Sequence, residues 1–161
     1  MSYNFTSVTE TGNENVSAAQ IERMAQRYYW AGEFCHNKDV LEVACGDGQG
    51  LGYIASVSKS VQAGDITPDL VEKALAHYGD RIKISEMDAQ CMPFNSECFD
   101  VIILFEAIYY LPNTEAFIDK CWRILRPGGI LLLATANKDL FDFNPSPYSV
   151  NYYNPPELNT M

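Results

Sequence analysis

The stretch Leu41-Glu42-Val43-Ala44-Cys45-Gly46-Asp47-Gly48-Gln49-Gly50 decides how the rest of the chain is read. Residues 40–44 are apolar except for one acid and run directly into glycines. This pattern predicts a short buried strand followed by a tight turn. Glycines at 46, 48 and 50 allow backbone to approach a ligand where a Cβ would intrude. A purely structural strand-to-helix turn would use glycine in the same way, so the segment does not settle function alone.

Two more acids give the turn its context. Asp65 ends a second apolar run and Asp88 follows a third, and the successive intervals Glu42 to Asp65 and Asp65 to Asp88 are each 23 residues. That spacing is about one strand–helix unit, so all three carboxylates reach one edge of a sheet. An acid after the second strand can accept hydrogen bonds from a ribose diol. An acid after the third can accept from an exocyclic amine. The alternative reading makes Asp65 and Asp88 ordinary loop acids. Phosphate-binding patterns fail here. No Gly-Lys-Ser/Thr follows the glycines, and GxGxxG is broken by Leu51 or Tyr53. The loop suits an adenosine without a pyrophosphate better than it suits NAD.

Outward from this point, helices and strands alternate. Ser17 and Gln20 have capping-box spacing and open a helix to about Phe34. Residues 51–57 predict a second helix and 61–65 a second strand. Thr67 and Pro68 start a helix to about His77. Residues 81–87 alternate as a third strand. Residues 99–105 form a continuous apolar run, expected of a central parallel strand. Asn113 caps a helix with Phe117, Ile118, Cys121, Trp122 and Leu125 on its apolar side, stopped by Arg126-Pro127-Gly128-Gly129. Residues 130–134 are a fifth strand. The predicted fold is α/β: a Rossmann-like three-layer sandwich around a mostly parallel sheet. Residues 1–16 read as a flexible arm, 17–136 as the core and 137–161 as a Pro/Tyr-rich loop or lid with a helix starting at Pro156.

The chain has 161 residues, enough for one domain, with 47% apolar and 20% charged residues. Its formal net charge of −10 disfavours nucleic acid and anionic membrane as partners. The N-terminus lacks a basic-then-apolar signal, and no apolar run reaches the ~18–20 residues that span a bilayer. Five cysteines without CxxC spacing read as reduced thiols of a cytoplasmic protein.

The sequence resembles the class I S-adenosylmethionine-dependent methyltransferases of the UbiE-like, type 11 group, over residues 40–135. The resemblance rests on five segments in order. They are residues 41–50; Ala63-Gly64-Asp65-Ile66-Thr67-Pro68; Met87-Asp88-Ala89-Gln90 through Met92-Pro93-Phe94; Phe99-Asp100-Val101-Ile102-Ile103; and Leu125-Arg126-Pro127-Gly128-Gly129. Ala44 stands where the family usually has its first glycine. The resemblance implies S-adenosylmethionine as cofactor and a small-molecule acceptor. It assigns Glu42 to ordering the glycine loop or meeting the methionine moiety. Ala44, Cys45, Gly46 and Gly48 would supply backbone contacts. Asp65 and Ile66 would take the ribose and adenine, Asp88 and Ala89 the adenine edge, and Phe105 would lie near the methionine end.

Tyr109 and Tyr110 shape an acceptor pocket or simply pack. Some relatives carry a metal-binding Glu-His pair near these positions, so tyrosines there disfavour a catalytic metal. Glu106 is a candidate general base, with a cofactor contact or a turn cap as alternatives. Tyr28 and Tyr29 either close over the site from the first helix or belong to the helix core. His36 and His77 are expected away from the ligand edge. The family sheet has seven strands and five are read here, so either the chain is shortened or its C-terminal part is reduced. An open edge beside the fifth strand would favour a homodimer. A non-catalytic cofactor-binding module and, more weakly, an NAD-linked oxidoreductase are the competing readings.

Overall fold

The computed structural model describes residues 4–9 and 16–161. Five parallel strands stand in the order β3-β2-β1-β4-β5, with β1 Asp39–Val43, β2 Ser60–Asp65, β3 Lys83–Glu86, β4 Phe99–Phe105 and β5 Leu125–Ala134. The chain steps outward from β1 to β3, then restarts on the other side of β1 with β4. The order therefore reverses between β1 and β4, where a crevice opens at the carboxyl ends of the strands.

The helices are α1 Ala18–Cys35, α2 Leu51–Val57, α3 Pro68–Tyr78, α4 Thr114–Ile124 and α5 Pro155–Leu158. Ser17 and Gln20 form the expected capping box on α1, and the Asn113 side chain accepts from Ala116 N on α4. Thr67 holds the N-cap position of α3, but its hydroxyl makes no capping bond there.

Alternation along the central strands sorts their side chains into two layers. Leu41, Val43, Ile102 and Leu104 meet Phe117, Cys121 and Ile124 of α4. Val40, Val101, Ile103 and Phe105 meet Ala31 and Cys35 of α1 and Ile54 of α2. Glu42 shares the face of Val40, so this acid is buried beneath α1 and α2.

Several expectations need correction. No α-helix joins β3 to β4; one 3-10 turn, Ala89–Cys91, and extended chain fill the gap. Strand β5 begins at Leu125, not residue 130. Leu125 pairs with Phe99 and Ile130 with Val101, so residues 126–129 bulge between them. From that bulge the Arg126 guanidinium reaches Asp39 and Asp100, each at 2.9 Å, and binds together β1, β4 and β5 at the edge opposite the crevice. Trp122 is 85% exposed rather than packed, because the inward stripe of α4 runs through 117, 121 and 124.

Residues 137–161 contain no strand but are not loose. Val150 N donates to Tyr109 O at 2.7 Å, Ser146 N to the Tyr152 hydroxyl at 2.7 Å, and the Tyr109 and Tyr152 rings stack at 4.6 Å. The closing helical turn has a capping box of its own, between Asn154 and Glu157.

Phe117 is fully buried beneath β1 and β4. Phe117→Ala is expected to cost about 3–5 kcal/mol of stability in urea titrations. A loss under 1 kcal/mol would mean that α4 does not pack on the sheet as described.

Candidate functional site

The crevice between β1 and β4 opens into a cavity of about 410 Å³. That is within the range of small-molecule sites, roughly 300–1,000 Å³. Its floor is the first strand–turn, Ala44, Cys45 and Gly46. The turns after β2, β3 and β4 add Asp65 and Ile66, Asp88 and Ala89, and Phe105 to Tyr110. One face of α1 closes the side.

The turn after β1 needs left-handed backbone. Ala44 has φ +55°, Gly46 +59° and Gly48 +85°. Glu106, just after β4, has φ +52°. Ala44 and Glu106 thus flank the switch point in a conformation that costs an L-residue roughly 1–2 kcal/mol. At Gly48 a Cβ would stand 2.9 Å from the Tyr78 ring, whose hydroxyl donates to the Gly48 carbonyl at 2.7 Å.

Asp65 ties the turns together. One carboxylate oxygen accepts from Gly46 N and the other from Thr67 N, both at 2.9 Å. Burial raises its pKa, and these backbone bonds oppose the rise. Asp88 caps the 3-10 turn by accepting from Gln90 N at 2.8 Å. Gln90 in turn accepts from Asn113 N, which links this wall to the start of α4.

Glu42 lies behind the floor. Its Oε1 accepts from the Tyr28 hydroxyl at 2.5 Å, while Oε2 is buried without a hydrogen-bond partner. Burial pushes this carboxyl up to about 7, against the Tyr28 bond that lowers it. Tyr28 reaches Glu42 by lying across Gly50, where an added Cβ would stand 2.0 Å from the ring. Its ring also meets Phe105 edge-on at 5.5 Å. The third glycine therefore admits Tyr28 rather than a ligand.

At the β4 end, Glu106 pairs with Arg27 at 3.0 Å and accepts from the Tyr109 hydroxyl at 3.3 Å. Burial raises the Tyr109 pKa well above the usual phenol range, with the Glu106 charge adding to the effect. Tyr110 lies beside Tyr109, with ring centroids 4.6 Å apart.

Of the residues expected at the site, Ala44, Cys45, Gly46, Asp65, Ile66, Asp88, Ala89, Phe105, Glu106, Tyr109, Tyr110 and Tyr28 line one cavity. Glu42 and Gly48 support it from behind. Tyr29 does not belong to it. It is 60% exposed and packs edge-on against Tyr53, because at about 100° per residue it falls on the side of α1 opposite the stripe 23, 24, 27 and 28. The α1 residues that do share the Tyr28 face are Arg23, Met24 and Arg27. Helical spacing could have identified them. Phe5 and Thr9 also line the cavity, and nothing local in the sequence marks them. His36 and His77 are exposed, and neither lines it.

The sheet reversal, the glycine turn and the acids after β2 and β3 are gathered around one cavity on a Rossmann-like fold. A family model described as a methyltransferase domain matches residues 41–133. The chain belongs to that family. A probable S-adenosylmethionine-dependent methyltransferase of Mycolicibacterium smegmatis is 32% identical over 131 residues, 79% of this chain and 51% of that protein. A ubiquinone biosynthesis O-methyltransferase of Chelativorans is 30% identical over 104 residues, 63% of this chain and 41% of that one. The chain thus spans about half the length of the first relative and less of the second. A SAM-dependent methyltransferase structure from Aquifex aeolicus has the same fold, with TM-score 0.71 at 17% identity, over 91% of this chain and 86% of that one.

Two outcomes follow from the backbone and the buried acid. Ala44→Gly relieves left-handed strain and should stabilise the protein by about 0.5–1 kcal/mol in chemical denaturation; destabilisation would contradict the strain. For Glu42 the folded carboxyl at about 7 lies above its ordinary value of 4.5, so the unfolded chain loses this proton first as pH rises. The Glu42 contribution is therefore full below 4.5, declines up to about 7 and is flat above. Glu42→Gln should flatten that window and stabilise at pH 8 by about 3 kcal/mol. An unchanged pH profile would mean that Glu42 titrates normally.

Proposed function

We propose that the cavity binds S-adenosylmethionine and that the domain transfers its methyl group to a small-molecule acceptor by in-line displacement. The observation carrying this reading is the pair Asp65 and Asp88 around a glycine turn that has no phosphate-binding lysine. Asp65 lines the cavity just after β2, where an acid can accept from a ribose diol. Asp88 and the Ala89 backbone would meet the adenine edge, and Ile66 its face. The buried, unpartnered Glu42 oxygen behind the floor suits a ligand that carries positive charge.

When bound, the cofactor supplies a methyl group already activated on a sulfonium. The chain then has chiefly to align nucleophile and donor and to exclude water. Tyr28, Phe105 and Met24 provide apolar wall for that purpose. Glu106, held by Arg27 and Tyr109, would orient the acceptor and could take its proton where the acceptor is a hydroxyl. Tyr109 and Tyr110 would shape the acceptor side. The name of the ubiquinone-biosynthesis relative supports an acceptor of small-molecule type. β5 is an edge strand, and a second copy pairing along it is the proposed homodimer. No helix among the described residues is long and apolar enough to cross a membrane, which fits a chain working on dissolved ligands.

Calorimetry with S-adenosylhomocysteine and with NAD tests the reading. The wild type should bind the homocysteine product and not NAD. Asp65→Asn should weaken that binding at least about tenfold. Binding of NAD without the homocysteine product would overturn the proposal.

A further inference from the structure

Residues 4–9 form a self-contained turn. Val8 N and Thr9 N donate to Phe5 O at 3.0 and 3.1 Å, the Thr9 hydroxyl donates to the same carbonyl at 2.9 Å, and the Asn4 side chain accepts from Thr6 N. Three observations place this turn over the ligand edge. Phe5 N donates to the Thr67 hydroxyl at 3.2 Å, directly after β2. The Phe5 ring lies 5.0 Å from Tyr110, after β4, and 6.5 Å from Tyr148. The Thr9 methyl lies 3.0 Å from where a Cβ on Gly46 would stand. These contacts bridge the turns after β2, β1 and β4, with Phe5, Val8 and Thr9 all lining the cavity.

The Thr67 hydroxyl gives the strongest hint. A threonine at an N-cap normally turns its oxygen onto the helix, a bond worth about 1 kcal/mol. Here α3 lacks that bond, and the oxygen holds the N-terminal turn instead. The same hydroxyl also hydrogen-bonds Asp65, so it links the acid after β2 to the N-terminal turn.

We propose that the N-terminal turn completes the binding site as its roof, with Phe5 as the residue that retains a bound nucleoside. This rests on the cofactor reading above. A nucleoside held by Asp65 and Asp88 would lie beneath the turn, and Phe5, packed against Tyr110 and Tyr148, would slow its departure. Phe5 thus acts on ligand residence, while Asp65 acts on recognition.

Two measurements on the full chain test the proposal. In stopped-flow displacement, Phe5→Ala should speed dissociation of S-adenosylhomocysteine about tenfold, with association changed less than about threefold. Phe5→Tyr should restore wild-type dissociation, and the thermal midpoint of the free protein should stay the same. The second measurement needs no ligand. Val8 N and Thr9 N are held within the turn, so Phe5→Ala should speed hydrogen–deuterium exchange of the peptide spanning residues 5–9 about tenfold. If wild type fails to bind the nucleoside, the cofactor reading fails, while exchange still decides whether Phe5 docks the turn on the cavity. Dissociation and exchange in Phe5→Ala both within about twofold of wild type would overturn the proposal.

Discussion

One buried carboxylate organises this molecule. Asp65 accepts from Gly46 N with one oxygen and from Thr67 N with the other. It thereby fastens the turn after β1 to the turn after β2. The turn after β1 runs through left-handed backbone at Ala44, Gly46 and Gly48, which an unsupported loop would not hold in one arrangement. Burial alone would raise the cost of the Asp65 charge, and the backbone donors offset it. The Thr67 side chain also bonds Asp65, and its hydroxyl is where Phe5 N attaches.

A second dependence follows from strand alternation. Glu42 shares a face with Val40 and so points under α1 rather than toward α4. Tyr28 reaches it only because position 50 has no side chain. Strand β1 behind the cavity floor and the first helix are therefore joined through a hydrogen bond to an acid that burial pushes up to about 7. Arg27, one residue earlier on α1, joins the same helix to Glu106 after β4. Helix α1 thus contacts the ends of both central strands, and its position affects both halves of the cavity.

Local signals made most of the frame legible. The apolar run 99–105 is β4 to the residue, and the Ser17 capping box starts α1 where expected. The glycine turn and the acids at 65 and 88 come together as their spacing implied. What escaped the sequence depends on contacts distant in the chain. Strand β5 starts early because a bulge lets Leu125 pair with Phe99 before the register shifts. Trp122 is apolar yet faces outward, since helical phase and not hydrophobicity sets which residues of α4 meet the sheet. Tyr29 adjoins Tyr28 in sequence, but helical phase turns it away from the stripe that faces the cavity. Residues 4–9 look like an arm by composition, and their attachment relies on Thr67 and Tyr110, each over 60 positions away.

The central claim is that Asp65 and Asp88 mark a nucleoside site. It is tested most directly by a crystal structure of the chain with S-adenosylhomocysteine. The account predicts the ribose hydroxyls on the Asp65 carboxylate and the adenine between Ile66 and the Asp88–Ala89 turn. A nucleoside bound elsewhere, with its ribose far from Asp65, would contradict it.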